Sequence, residues 1–165
     1  MTSEQFIDEY NRIYKDMYKL ALYTLGNPED AKDCVSDTVY EAYKNLHKLR
    51  DDSLFHNWIF KILSNRCKRY IGFLITRRER LTELPEDDGF ASTSGDPLDM
   101  AIVKDALFTL SKKERLIVNM ILIAGFNSRE VAAELHSKDT TIRSTYNRAL
   151  KKMQAVLDEK NGGKA

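Results

Sequence analysis

The chain has 165 residues, a formal net charge of +1 and an apolar content of 42%. This length allows one domain or two small ones, and the near-neutral charge excludes a uniformly basic nucleic-acid coat. No apolar run approaches membrane-spanning length, and the acidic, polar start MTSEQFIDEY is unlike a signal peptide. We therefore expect a soluble, cytoplasmic protein with no membrane insertion.

The first half of the sequence predicts three amphipathic helices. Apolar residues recur at helical spacing over residues 6–20, with Ser3 as the predicted N-cap and Gly26 as the stop. The pair Asn27-Pro28 predicts a second helix start, because asparagine caps helices and proline suits their first turn. A third apolar stripe covers residues 55–74.

The composition changes after this third stripe. Residues 82–95, TELPEDDGFASTSG, are acidic and have no apolar period, which is typical of a linker. Further helices are predicted from Asp96-Pro97 and from a capping box formed by Ser111 and Glu114. The sequence thus predicts an all-α fold of two small helical domains, 1–80 and 97–160, a flexible acidic linker, 81–96, and a disordered tail, 161–165.

Residues 127–153, NSREVAAELHSKDTTIRSTYNRALKKM, contain two short helical patterns separated by a polar break. Small apolar residues such as Ala132 and Ala149 would let the two helices pack steeply, as in a helix-turn-helix. Arginine and asparagine on the second helix suit base edges, while lysine and hydroxyl groups suit phosphates. A solvated basic helix that closes a bundle would have the same pattern, so both interpretations stay open on the pattern alone.

The basic residues are concentrated at the ends of the two predicted domains. Residues 61–80 hold seven basic residues against Glu79 alone, and residues 138–164 hold seven against three acids. Such a division suits a polyanion that is contacted at two separate places.

Nothing in the sequence indicates catalysis. There is no nucleophile–base pair, phosphate-binding loop or metal-ligand cluster, and Cys34 and Cys67 fall within apolar stripes. We therefore expect no enzymatic activity, no cofactor and no small-molecule substrate.

Taken whole, the sequence resembles a bacterial extracytoplasmic-function (ECF) sigma factor of group 4. LYTLGNPEDAKDCVSDTVYEAYKNL resembles the helix that grips the RNA polymerase core, and SLFHNWIFKILSNRCKRY the segment that melts and reads the minus-ten element. ALFTLSKKERLIVNMILIAGFNSREVAAELHSKDTTIRSTYNRALKKM is similar to the domain that reads the minus-thirty-five element. The resemblance covers nearly the whole chain, and it implies a dissociable specificity subunit that directs transcription initiation at stress- or signal-responsive genes.

The resemblance also implies roles for individual residues. The set that would bind core polymerase is Asp30, Asp33, Asp37 and Glu41. The set that would hold the single-stranded minus-ten element is Asn65, Arg66, Lys68 and Arg69. The set that would bind the minus-thirty-five element is Thr141, Arg143, Ser144, Asn147, Arg148, Lys151 and Lys152. The recognition helix would run from near Lys138 to about Met153.

The chain departs from the family pattern at His136, Ser137 and Lys138, which leaves the exact base-reading residues open. His136 stands where glycine would ease a left-handed conformation, and Ser137 or Asp139 would cap the recognition helix in a shifted register.

Two other interpretations are a stand-alone helix-turn-helix regulator with an N-terminal dimerisation bundle, and a helical adaptor that does not contact DNA. Members of the family are commonly inhibited by an anti-sigma factor. The resemblance therefore also implies a separately encoded anti-sigma factor, because no extra C-terminal domain follows to do that job.

Overall fold

The computed structural model describes residues 1–77 and 97–162, and all regular structure in these ranges is helical. In chain order the elements are α1 (Ser3–Leu25), α2 (Pro28–Lys44), two 3-10 helices (Leu46–Lys48 and Asp52–Leu54), α3 (Phe55–Arg77), α4 (Pro97–Leu107), α5 (Lys112–Leu122), α6 (Ser128–Glu134) and α7 (Asp139–Gly162). The all-α prediction is confirmed. The predicted linker, 81–96, lies outside the described residues.

Two helix boundaries differ from the sequence prediction. Thr2, rather than Ser3, is the N-cap of α1: its hydroxyl accepts from the Gln5 amide, and the Gln5 side chain accepts from the Thr2 amide. A glutamine three residues after the cap forms this reciprocal box, which selects Thr2. At the other end of the chain, α7 continues to Gly162, so residues 161 and 162 belong to a helix rather than to a tail, and residues 163–165 lie outside the described range.

The turn between α1 and α2 follows the sequence signals. Gly26 adopts φ 76°, which a glycine reaches without the strain that a Cβ introduces, and its amide donates to the Leu22 carbonyl. The Asn27 side chain then accepts from the amides of Glu29 and Asp30. The result is a tight corner that sets α2 against α1.

The N-terminal domain is a bundle of α1, α2 and α3. Its core includes Met17, Leu20, Phe60 and Leu63, each fully buried, together with the two cysteines. The sulfurs of Cys34 on α2 and Cys67 on α3 lie 3.6 Å apart as free thiols. The contact with Cys34, followed by burial, raises the pKa of the Cys67 thiol well above its ordinary value. Both cysteines therefore act as small apolar residues that join α2 to α3.

The C-terminal domain consists of α4 to α7 around Leu116, Met120, Val131 and Ile142, all buried. Ser111 and Glu114 form the predicted capping box at the start of α5, and Asn127 with Glu130 forms another at the start of α6. The two domains are in direct contact, because α5 packs on α1 and α3, and α6 packs on α3. This packing decides which of the predicted binding residues face solvent.

Candidate polymerase and DNA interfaces

The acidic face of α2 lies on the outside of the N-terminal bundle. Asp33 and Asp37 are exposed, and Tyr40, one turn further along the same face, is 71% exposed. Burial, followed by the charge of Asp37, raises the pKa of Tyr70 on α3 to about 12. The carboxylates therefore create a negative field that reaches α3. Asp30 is half-buried on this face.

Glu41, the fourth acid of the predicted polymerase set, is directed towards α3. Its carboxylate accepts from Nε of Arg66 at 2.9 Å and also from Nη2 of the same guanidinium. Hydrogen bonding to Glu41 raises the pKa of Arg66. The structure thus brings one residue of the predicted polymerase set and one of the predicted DNA set together as a partner pair.

A cleft of about 170 Å³ runs along α3 beside this pair. Its lining consists of Glu41, Trp58, Lys61, Ile62, Asn65, Arg66 and Arg69. Three of the four residues predicted to bind the minus-ten strand therefore line one concave surface. Trp58 falls within the apolar stripe 55–74 that the sequence predicts, yet it lies half-exposed at the cleft, a position for which the apolar spacing gave no signal.

Two of the predicted DNA-binding residues on α3 contact the C-terminal domain. Nδ2 of Asn65 donates to Oε2 of Glu134 at 2.9 Å, and Nζ of Lys68 donates to the Leu135 carbonyl at 3.4 Å. Arg69 is exposed, and no polar partner for it lies among the described residues. The four residues are therefore adjacent, as predicted, but they are not equally accessible.

The helices α6 and α7 form a helix-turn-helix. His136 adopts φ 52°, the left-handed conformation expected at this position, and the Ser137 amide donates to the Ala132 carbonyl at 2.9 Å. The Lys138 carbonyl accepts the first helical bond of α7, from Ile142 at 3.0 Å. Lys138 thus occupies the capping position, and the predicted register shift to Ser137 or Asp139 is wrong.

The Asp139 carboxylate is engaged on two sides of the turn. It accepts from the Ser128 hydroxyl of α6 and forms an ion pair with Arg143 at 3.1 Å. These two contacts tie α6 to the first turn of α7. Because its carboxylate makes these two contacts, the Asp139 side chain does not cap the helix.

The outward face of α7 is the side of the helix opposite its buried residues. Ile142, Ala149 and Met153 face the core, so residues about half a turn away point outwards. Between Asp139 and Lys151, these are the exposed residues Thr140, Ser144, Asn147, Arg148 and Lys151. Thr140 is an addition to the predicted set, because the sequence alone did not fix the rotation of the helix.

The remaining predicted residues of α7 lie at the sides of this outward face. Thr141 is exposed there, Arg143 pairs with Asp139, and Lys152 forms an ion pair with Glu114 at 3.0 Å. All seven predicted residues are thus on the solvent-accessible part of α7, but only four of them occupy its centre.

Two family models match the chain, one in each domain. Sigma-70 region 2 matches residues 10–72, and sigma-70 region 4 matches residues 100–153. The first covers the acidic helix and the α3 cleft, and the second covers the helix-turn-helix. Together they cover most of the chain and define a sigma-70-type transcription initiation factor.

Known relatives of the chain indicate which class of sigma factor it resembles. The chain is 24% identical over 155 residues to the ECF RNA polymerase sigma factor SigM of Mycobacterium tuberculosis, covering 93% of this chain and 78% of that protein. It is 28% identical over 151 residues to the RNA polymerase sigma factor CnrH of Cupriavidus metallidurans, covering 84% and 79%. Among solved structures, the sigma factor RpoE of Bartonella quintana, in complex with the anti-sigma factor NepR, superposes with a TM-score of 0.70 at 25% identity, covering 93% and 96%.

The chain belongs to the ECF sigma factors, which bind the RNA polymerase core and direct it to specific promoters. A stand-alone regulator with a dimerisation bundle is not favoured, because its N-terminal half would have no reason to match region 2. None of the helices in residues 1–77 and 97–162 combines the length and the hydropathy of a membrane span.

Proposed function

We propose that this chain is a group 4 sigma factor whose two domains carry separate tasks. In this proposal the N-terminal domain, 1–80, grips core polymerase and opens the minus-ten element, the linker is 81–96, and the domain 97–160 binds the minus-thirty-five element. The observation that supports it best is the adjacency in one small bundle of an exposed acidic helix face, with Asp33 and Asp37, and a cationic cleft on α3.

The acidic face of α2 would contact the polymerase. Asp33 and Asp37 are exposed and separated by one helical turn, so both can reach a basic surface at once. Tyr40 adds apolar area beside them, as aromatic residues do at the centre of interfaces. Asp30 and Glu41 would contribute less directly, since each is half-buried in this conformation.

The α3 cleft would hold the separated strand. Single-stranded DNA is bound by cations along the backbone and by aromatic surfaces on which bases stack. Asn65, Arg66, Lys68 and Arg69 supply the polar groups, and Trp58 supplies a half-exposed ring at the cleft. Binding the open strand would offset the few kcal/mol per step that unstacking costs.

The outward face of α7 would enter the major groove of duplex DNA. Asn147 and Arg148 suit base edges, while Ser144 and Lys151 suit phosphates. Thr141, Arg143 and Lys152 would contact the backbone beside them.

We further propose that the chain acts in the cytoplasm, does no chemistry itself, and is regulated by a separately encoded anti-sigma factor at stress- or signal-responsive genes. The sigma factor RpoE of Bartonella quintana, which was solved in complex with the anti-sigma factor NepR, supports this type of regulation.

Transcription with purified core polymerase tests the proposal. Adding the chain to core and a library of genomic fragments should produce discrete new run-off start sites. A variant with Asp33→Lys and Asp37→Lys should not co-elute with core on gel filtration, whereas a matched double charge reversal at exposed positions of α1, Asp8→Lys with Asp16→Lys, should. Output that does not change over core alone, or an acid-reversed variant that still co-elutes, would contradict the proposed roles.

A further inference from the structure

One acid lies among the cations that line the α3 cleft. Lys61, Arg66 and Arg69 supply positive charges to the described lining, and Glu41 supplies its one negative charge. Glu41 is also the lining residue that comes from α2, whereas the others belong to α3. A carboxylate repels the phosphates of a nucleic acid, so its position in a strand-binding cleft requires a physical reason.

The geometry of the pair with Arg66 is specific. Nε and Nη2 of the guanidinium both donate to one carboxylate oxygen, Oε2 of Glu41, the first of them at 2.9 Å. Two donors that converge on one acceptor set the plane of the guanidinium as well as its position, because the group is rigid and flat. No acceptor for Nη1, the third nitrogen, lies in residues 1–77 or 97–162. The two N–H donors of Nη1 therefore stay available at the cleft.

Glu41 is itself held in place. Its carbonyl, in the last turn of α2, accepts from the amide and from Nδ2 of Asn45 at 3.0 and 2.9 Å. Two turns earlier on α2, the buried Cys34 contacts Cys67, the neighbour of Arg66 on α3. These contacts fix the spacing of the two helices beside the cleft, so α2 gives the Glu41 carboxylate a firm support.

Two simpler roles fit Glu41 less well. As a polymerase contact, its carboxylate would have to release Arg66, whereas Asp33 and Asp37 on the same helix are exposed and need no such release. As a tie between helices it would add little, because a partly solvated ion pair contributes weakly and a buried core already joins α2 to α3.

We propose that Glu41 is a positioning residue of the strand-binding cleft, which holds the Arg66 guanidinium so that Nη1 meets a phosphate of the separated strand. The inference rests on the proposed function of the α3 cleft. Guanidinium donors form strong, charge-assisted hydrogen bonds to phosphate oxygens. Lys61 and Arg69 lie on the same lining and would neutralise neighbouring phosphates.

Positioning has a thermodynamic advantage that offsets the negative charge. An arginine side chain with many accessible rotamers loses that freedom when it binds a ligand. Arg66 has already lost it on folding, so binding of the strand does not incur this cost again. Glu41 weakens the attraction for phosphates, but three cations against one acid leave the described lining positive.

A substitution that keeps the charge and shortens the side chain tests the proposal. Glu41→Asp withdraws the carboxylate from Arg66 by one methylene, and Glu29→Asp makes the same change at an exposed position of α2. The probe is a fluorescein-labelled single-stranded DNA of mixed sequence, titrated with the full chain and followed by anisotropy. Glu41→Asp should weaken binding roughly five-fold, because Arg66 must then be ordered by the strand, and Glu29→Asp should leave it unchanged.

The salt dependence of binding separates a lost phosphate contact from a damaged fold. Each phosphate contact with a single strand contributes about 0.7 to the slope of log K against log salt concentration. The slope for Glu41→Asp should therefore be shallower by about 0.7, although its formal charge is unchanged and circular dichroism shows it to be folded. Unchanged affinity and slope, or an unmodified chain that does not bind the probe at low salt, would overturn the proposal.

A double-mutant cycle shows whether Glu41 acts through Arg66. Arg66→Ala should weaken binding to the probe at least as much as Glu41→Asp does. Adding Glu41→Asp to Arg66→Ala should then change the affinity by less than about two-fold, because the carboxylate has no guanidinium left to hold. Additive losses would mean that Glu41 contacts the strand by itself and is not a positioning residue.

Binding to core polymerase distinguishes positioning from a polymerase contact. When the fluorescently labelled chain is titrated with core, Glu41→Asp should bind within about two-fold of the unmodified chain, unlike the variant with Asp33→Lys and Asp37→Lys. A loss as large as that of the double reversal would assign Glu41 to the polymerase interface instead.

These outcomes are distinguishable from failure of the proposed function. A chain that directs transcription from core polymerase, but whose Glu41→Asp variant binds the probe as before, is a sigma factor without this positioning. A chain whose variants bind the probe as expected, but which produces no transcripts, retains the positioning and loses the proposed function.

Discussion

The two basic helices α3 and α7 each carry five lysine or arginine residues but have opposite surroundings in the structure. On α3, Arg66 pairs with Glu41, while Asn65 and Lys68 contact α6. On α7, Asn147 and Lys151 are exposed at the centre of the outward face.

This difference indicates that the charge of a helix does not predict which anion it binds. The cations of α3 lie where two other elements supply acids and carbonyls, so part of the basic surface serves the fold. The cations at the centre of α7 face away from every neighbouring helix of the described chain. Substitutions at the centre of α7 should therefore mainly affect promoter binding. Substitution of a paired cation on α3 should also lower the stability of the fold.

The largest effect should come from Arg148 on the outward face of α7. Arg148→Ala should lower promoter-directed transcription by tenfold or more, since a bidentate base contact is worth about 1–3 kcal/mol. Run-off transcription with core polymerase measures it. The control is Arg143→Ala on the side of the same helix, which already pairs with Asp139 and should have a smaller effect. Equal losses for both variants would show that the rotation of α7 does not set the contacts.

Arg66 and Arg69 provide the corresponding test on α3. Arg66→Ala should lower the free energy of unfolding by about 1 kcal/mol, a modest value because both side chains of its pair with Glu41 are partly solvated. Arg69→Ala, at an exposed position, should change it by less than about 0.5 kcal/mol. Urea denaturation followed by circular dichroism measures both. If Arg69→Ala lost more stability than Arg66→Ala, the exposed cation, and not the one paired with Glu41, would be the one that stabilises the fold.

The turn before α7 allows a test confined to the C-terminal domain. His136→Gly should stabilise the protein by less than about 1 kcal/mol, because glycine avoids the strain of φ 52° but gains entropy when unfolded. The reverse substitution, Gly125→Ala at φ 79°, meets no neighbouring atom within 4 Å and should destabilise by roughly 1 kcal/mol through strain alone. Midpoints of urea unfolding compare the two. A destabilised His136→Gly variant would show that the imidazole has a packing role.

The smallest expected effect is the influence of the acids of α2 on the pKa of Tyr70, which lies on α3. Because burial and the acids of α2 raise the pKa of Tyr70 from 10.0 to about 12, the folded state binds its proton more tightly than the unfolded state. The resulting stability is fully present below pH 10 and is lost as pH rises towards 12. The difference in unfolding free energy between the chain and Tyr70→Phe measures this slope. Ultraviolet titration of Asp37→Asn should show a lower Tyr70 pKa, and an unchanged value would exclude the charge of Asp37 as a cause.

Much of the fold was predictable from local signals. The corner at Gly26-Asn27-Pro28 and the capping box at Ser111 depend on residues a few positions apart, and the structure has them where the sequence predicts them. The cap at Thr2 and the length of α7 were predicted wrongly. In both cases the sequence fitted more than one position for the end of the helix, and the hydrogen bonds of the folded chain decide between them.

The candidate site was predictable in composition but not in accessibility. The family resemblance grouped Asn65, Arg66, Lys68 and Arg69, and these residues lie together on α3. That Glu41 bonds to Arg66, and that Glu134 bonds to Asn65, could not be inferred, because these partners are 25 and 69 positions apart. The position of Trp58 at the cleft could not be inferred for the same reason, because the cleft also depends on Glu41, which is distant in sequence.

The sequence by itself determined the helices, their order and the two basic elements, because helical periodicity, capping and local charge act over a few residues. Only the tertiary structure decided that Arg115 is buried against Thr24, 91 positions away, and that the C-terminal domain covers part of α3. Burial of a charge depends on what packs around it. The carbonyls that stabilise Arg115 become available only where the end of one helix meets the side of another.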